Sequence, residues 1–139
     1  MAVEFKASHR YARIASRKAQ LVMDMIRGMP AGDALDTLRN DPHRAASLVY
    51  KVLASAVANA MQDPEVRPNR LMVSRAHADG GPLLFGRIRY RPSSMGRAMP
   101  FRRRTSHLHV FVSDPGLSAG REVESLHEAS SAEAAGEEN

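Results

Sequence analysis

The sequence predicts an α+β fold: three helices packed on a small three-stranded antiparallel sheet, with a long extended β-hairpin leaving it. Three observations carry that expectation. Apolar residues recur at helical spacing between Ser16 and Ala60, and the period changes to two after Pro68. The stretch from Gly80 to Ser113 then contains no acid and is dense in arginine.

Taken in order, Glu4 to Ile14 is short and mixed, an edge strand followed by a turn. Ser16 is the expected N-cap of the first helix, with Leu21, Val22, Met25, Ile26 and Met29 as its apolar stripe. Gly28 followed by Pro30 stops it. A short second helix is expected over Asp33 to Arg39, burying Ala34, Leu35 and Leu38. Asp41-Pro42 reads as N-cap and first-turn proline of the longest helix. Its positions Ala45, Leu48, Val49, Val52, Leu53, Ala56, Val57 and Ala60 keep the rhythm until Asp63-Pro64. Next, Leu71, Val73, Arg75 and His77 alternate with Met72, Ser74, Ala76 and Ala78, as in a strand covered on one face. Asp79-Gly80-Gly81-Pro82 is expected to turn the chain, Leu83 to Tyr90 to run outward, Pro92 to Gly96 to turn, and Met99 to Val112 to return.

The 139 residues suffice for one domain, residues 1–113, with the hairpin extension at about 83–106. Residues 114–139 form an acidic tail of Ser, Ala, Glu and Gly, too polar to offset its ordering entropy and expected to be disordered. Without cysteine, a disulfide framework and thiolate metal sites are excluded. No charged-then-apolar leader is present, and no apolar run approaches the roughly 20 residues of a membrane span, so a soluble cytoplasmic protein is expected.

The net charge of +5 hides a split. Up to Ser113 there are 19 Lys and Arg against 8 Asp and Glu; from Asp114 onward, one Arg faces seven acids. A basic body with an acidic tail calls for a polyanionic partner. Only Lys6, Lys18 and Lys51 stand against 17 arginines. Genome base composition can account for that ratio but not for where the arginines cluster.

One cluster opens the first helix. Arg17 and Lys18 occupy a first turn where the macrodipole favours acids, and Arg10 and Arg13 lie just upstream. An external anion accounts for cations at a helix N-terminus. The second cluster is the hairpin, where Arg87, Arg89, Arg91, Arg97, Arg102, Arg103 and Arg104 are interleaved with Tyr90 and Phe101. Such a ribbon repels itself until phosphates neutralise it, while its aromatic and guanidinium planes can stack on unpaired bases. At ~3.3 Å per residue, arms of about eight residues give a finger of roughly 25 Å, long enough to thread between RNA helices. If all seven arginines met phosphates, the salt slope of binding would be about −5 to −6.

His107 and His109 share a strand face, but no carboxylate or cysteine lies near them in sequence, so the sequence assigns no metal. Nor is there a nucleophile elbow, a glycine-rich phosphate loop or a catalytic carboxylate pair. An enzyme is not expected, and no cofactor is assigned.

The stretches Arg13 to Gly28 (RIASRKAQLVMDMIRG), Ala45 to Ala60 (AASLVYKVLASAVANA) and Arg87 to Asp114 (RIRYRPSSMGRAMPFRRRTSHLHVFVSD) resemble, in order, the bacterial form of the large-subunit ribosomal protein family numbered twenty-two. The resemblance extends from about Phe5 to Asp114 and is most specific in the last stretch. It implies an α+β body on the outer face of the large subunit near the tunnel exit, with the hairpin running inward along the nascent-peptide tunnel. It further implies binding to 23S-type ribosomal RNA, contact with neighbouring large-subunit proteins and with the nascent polypeptide, and a part in subunit assembly, with no homo-oligomer. The contacts carried over are Arg10, Arg13, Arg17, Lys18, Arg87, Arg89, Arg91, Arg97, Arg102, Arg103, Arg104, Ser106 and His107. The tunnel-lining tip maps to Arg89, Tyr90, Arg91, Pro92, Ser93, Ser94, Met95 and Gly96. Two departures stand out: Arg17 replaces a proline common after the helix-opening serine, and Ser93-Ser94 replaces an Arg-Ala pair, leaving a less basic tip.

Two other readings compete. A regulatory DNA-binding module would use the helices of residues 33–62, but these carry few cations or amides. An RNA-modifying enzyme would need the catalytic constellation that is missing.

Overall fold

The computed structural model describes residues 3–117. Along the chain run β1 (Glu4–Ala12), α1 (Ser16–Ile26), α2 (Ala31–Asn40), α3 (Arg44–Ala60), β2 (Met72–Leu83), β3 (Arg89–Pro92), β4 (Ala98–Phe101) and β5 (Arg104–Ser113). This is the expected α+β class. β1, β5 and β2 form an antiparallel sheet in that order, and β3 pairs with β4 in a separate ribbon. α1 lies across β2, α3 across β1 and β5, and α2 against α3, so the helices cover one face of the sheet.

β1 takes the expected edge position, whereas the ribbon strands β3 and β4 stand outside the three-stranded sheet. β1 is a full partner of β5, from Glu4 opposite Ser113 to Ala12 opposite Ser106. Asp79-Gly80-Gly81-Pro82 does not turn the chain. β2 runs through it, with Asp79 opposite His107, Gly80 opposite Ser106 and Leu83 opposite Arg104. Pairing on both flanks of this stretch outweighs its local turn chemistry, and the Gly-Pro pair is absorbed as an irregularity in the ladder. Gly81 is required there: a Cβ would stand 2.6 Å from Thr105 Oγ1. That hydroxyl donates to the Pro82 carbonyl at 2.6 Å.

A second irregularity decides which residues reach the core. Val73 faces Val112 and Arg75 faces Phe111, so Ser74 is an extra residue in β2. The bulge shifts the inside–outside phase by one. Leu71 and Val73 are buried before it and Ala76 after it, while Arg75 and His77 turn to the face away from the helices. Strict alternation had put Leu71, Val73, Arg75 and His77 together.

The first helix is corrected in the same way. Ala15, not Ser16, is the N-cap, and no side chain caps it. The buried stripe is Ala19, Val22, Met23 and Ile26, whereas Leu21 and Met25 are 63% and 48% exposed. Both sets have helical spacing; packing on β2 selects the first. Gly28, at φ +78°, turns the chain back along β2. Its N–H donates to the Val73 carbonyl, and the Val73 N–H to the Met29 carbonyl, both at 2.9 Å, which covers that sheet edge.

α3 starts at Arg44, with His43 as N-cap, rather than at Pro42. Asp41 stands outside the helix, and its Oδ1 accepts the His43 N–H at 3.0 Å. Ala45, Ala46, Ala56 and Ala60 are buried with Val49, Val52 and Leu53, letting the helix approach β1 closely. Asp114, grouped with the tail by composition, is buried and accepts the backbone N–H groups of Arg67 and Gly116 at 3.3 and 2.9 Å. The remainder of the acidic tail, from residue 118, lies outside the described residues.

Candidate nucleic-acid interface

The two basic clusters separated in sequence meet in space. A cavity of about 310 Å³ is lined by Arg13, Ile14, Ala15, Lys18, Arg44, Arg102, Arg103 and Arg104. Six of these eight residues are cations, so the cavity is a concentrated positive site. α1 and α3 each open without a side-chain cap and without an acid in the first turn. Uncapped helix N-termini leave backbone N–H groups free for an anion, and their dipoles add to the side-chain charge. Arg44 was missed in the sequence because α3 was read as core alone. The signal was present, since it too is a cation in a first turn.

The remaining predicted residues do not line this cavity. Arg10 and Arg17 are exposed but do not line the cavity. Arg87, Arg89, Arg91 and Arg97 are exposed along the ribbon. None of the arginines from Arg87 to Arg104 has a carboxylate partner among the described residues. Ser106 is a correction. It is 0% exposed, on the central strand between Ala12 and Gly80, so its side chain is closed off from RNA in this fold. His107 is half-buried, and its Nδ1 accepts the Tyr11 N–H at 3.1 Å.

The finger is jointed rather than continuous. Leu84 donates its N–H to the Arg103 carbonyl at 2.8 Å, closing the end of the sheet. Leu84–Gly86 then makes a 3-10 turn, with Phe85 at φ 59° and Gly86 at φ 70°. Beyond it, the ladder pairs Arg89 with Phe101, Tyr90 with Pro100, Arg91 with Met99 and Pro92 with Ala98. Opposed residues share a face, so Arg89, Arg91 and Phe101 lie on one side and Tyr90, Pro92 and Pro100 on the other. The arginine side is organised by stacking: Arg91 lies 4.5 Å and Arg103 5.5 Å from the centre of the Phe101 ring. Both arginines stay exposed beside the ring. At the tip, Ser93 N–H donates to the Arg97 carbonyl at 2.8 Å, and Met95 is 93% exposed.

The profile of the family described as ribosomal protein L22p/L17e matches residues 7–113. The chain belongs to that family. Among similar proteins is the large ribosomal subunit protein uL22 of Acidothermus cellulolyticus, 45% identical over 115 residues, covering 79% of this chain and 40% of that protein. The large ribosomal subunit protein uL22 of Halothermothrix orenii is 42% identical over 112 residues, covering 81% of this chain and 96% of its own length. The chain thus spans well under half of the first relative and nearly all of the second. The family match contains the whole ribbon and every cation that lines the cavity. No helix among the described residues is long and apolar enough to cross a membrane.

Proposed function

We propose that this protein is a structural constituent of the large ribosomal subunit on the cytoplasmic ribosome, holding 23S-type ribosomal RNA and catalysing no reaction. The single observation that supports it best is the cavity where Arg13, Lys18, Arg44 and Arg102 to Arg104 converge on two uncapped helix N-termini. That arrangement seats backbone phosphate, while the ribbon offers guanidinium groups on one face and Tyr90 on the other for unpaired bases. In this reading the body anchors on RNA near the tunnel exit and the jointed ribbon extends along the nascent-peptide tunnel, with Arg89 to Gly96 at its wall. Neighbouring subunit proteins and the nascent chain are then its other partners. The DNA-binding reading loses support from α3, whose apolar side is buried against the sheet and whose described cations are Arg44 and Lys51 alone.

Sedimentation of the native protein tests the proposal. Comigration with large subunits, persisting through a low-salt wash and lost in high salt, is expected. A low-mass soluble pool acting on free substrate would overturn it.

A further inference from the structure

The sheet face turned away from the helices brings together what the sequence kept apart. His77 on β2 and His109 on β5 are direct cross-strand partners, with ring centres 5.1 Å apart and planes 26° from parallel. Asp79, two residues beyond His77 on the same face, places Oδ2 3.9 Å from His77 Nε2 and 3.8 Å from His109 Nε2. One ligand atom from each of the three lies within 4.8 Å of the others. Phe111 stacks on His77 at 5.8 Å and walls one side of the group.

We infer that His77, Asp79 and His109 form a binding site for a borderline divalent transition ion such as Zn²⁺. Two imidazole nitrogens and a carboxylate are the donor set such ions take, whereas Mg²⁺ and Ca²⁺ require all-oxygen shells. Tetrahedral ligation at about 2.0–2.2 Å separates ligand atoms by about 3.3–3.6 Å. The triangle therefore closes by side-chain rotation alone, and all three side chains are exposed enough to rotate. The fourth position faces outward, for water or a phosphate oxygen. Arg10 acts on His109, and its positive charge opposes a cation there. The placement has a structural consequence. β2 ends at Leu83 and β5 begins at Arg104, so an ion here staples the two strands from which the basic ribbon departs. This reading is independent of the RNA site.

The test is calorimetric titration of untagged full-length protein with ZnCl₂, with Co²⁺ absorption as a second readout of imidazole ligation. One ion per chain is expected. His77→Ala, His109→Ala and Asp79→Asn should each weaken binding by at least the about tenfold that losing an outer-shell partner costs. His43→Ala and His9→Ala should leave it unchanged. Zinc at about 100 times its dissociation constant should raise the folding equilibrium constant about 100-fold in wild type but not in His109→Ala. Asp79 is exposed, so Asp79→Asn keeps the fold even if a histidine variant does not. Absence of binding at millimolar zinc, or binding that survives loss of His77 and His109 but not of His43, would overturn the site.

Discussion

Replacing Arg102, Arg103 and Arg104 together by glutamine removes half of the cations around the basic cavity and leaves Arg13, Lys18 and Arg44 in place. All three side chains are exposed; Arg104 and Arg103 are tied to Leu83 and Leu84 through the backbone, so the variant keeps those ties and loses only the stacking of Arg103 on Phe101. If each guanidinium meets one phosphate, each adds about 0.7–0.9 to the salt slope, so the triple variant loses about 2–3. Over the fourfold rise from about 50 to 200 mM salt, that difference is worth about 20–40-fold in relative affinity. The variant should therefore bind a 23S-type RNA fragment far more weakly than wild type at low salt and approach it at high salt. Filter binding across a salt series measures both slopes. Equal loss at every salt concentration, or an unchanged slope, would refute the phosphate assignment, because only displaced counterions make the difference salt-dependent.

Three further outcomes follow from packing and titration. Gly81→Ala should cost about 1–3 kcal/mol by urea unfolding, since the new Cβ meets a Thr105 hydroxyl held by its hydrogen bond to Pro82; a neutral result would mean β2 is looser there than described. Met23→Ala should cost about 2–5 kcal/mol and Leu21→Ala no more than about 0.5 kcal/mol, and reversal of that order would reinstate the other stripe of α1. The N–H of His43 holds the Asp41 carboxyl below its ordinary value of 3.8, so ionised Asp41 favours the folded state. Its contribution is complete above pH 3.8 and fades as pH falls through the lower folded value. Asp41→Asn should therefore lower the urea midpoint above pH 3.8 and converge with wild type in stronger acid; a gap that widens with acid would reverse the sign.

The existence of three helices, the change to strand period and the cationic stretch were legible in the chain, because each is a local pattern of residue type. So were the ribbon arginines, since no nearby acid could pair with them. Less legible was which of two acceptable stripes α1 buries. Ala19 and Met23 win over Leu21 and Met25 only when β2 is in place. The phase of β2 was equally hidden, as one extra residue at Ser74 turns Arg75 and His77 outward and no local pattern announces a bulge. Ser106 reads as polar and available, yet strand pairing on both sides encloses it.

Residue type alone thus determined that a basic ribbon with no acid of its own hangs from an aliphatic α+β body. Only the tertiary structure decided that Arg13, Lys18 and Arg44 join Arg102 to Arg104 around one cavity, and that His77 meets His109. The reason is physical. Charge and hydrophobicity are properties of single residues, whereas a site is a set of distances, and sheet register sets distances between strands far apart in the chain.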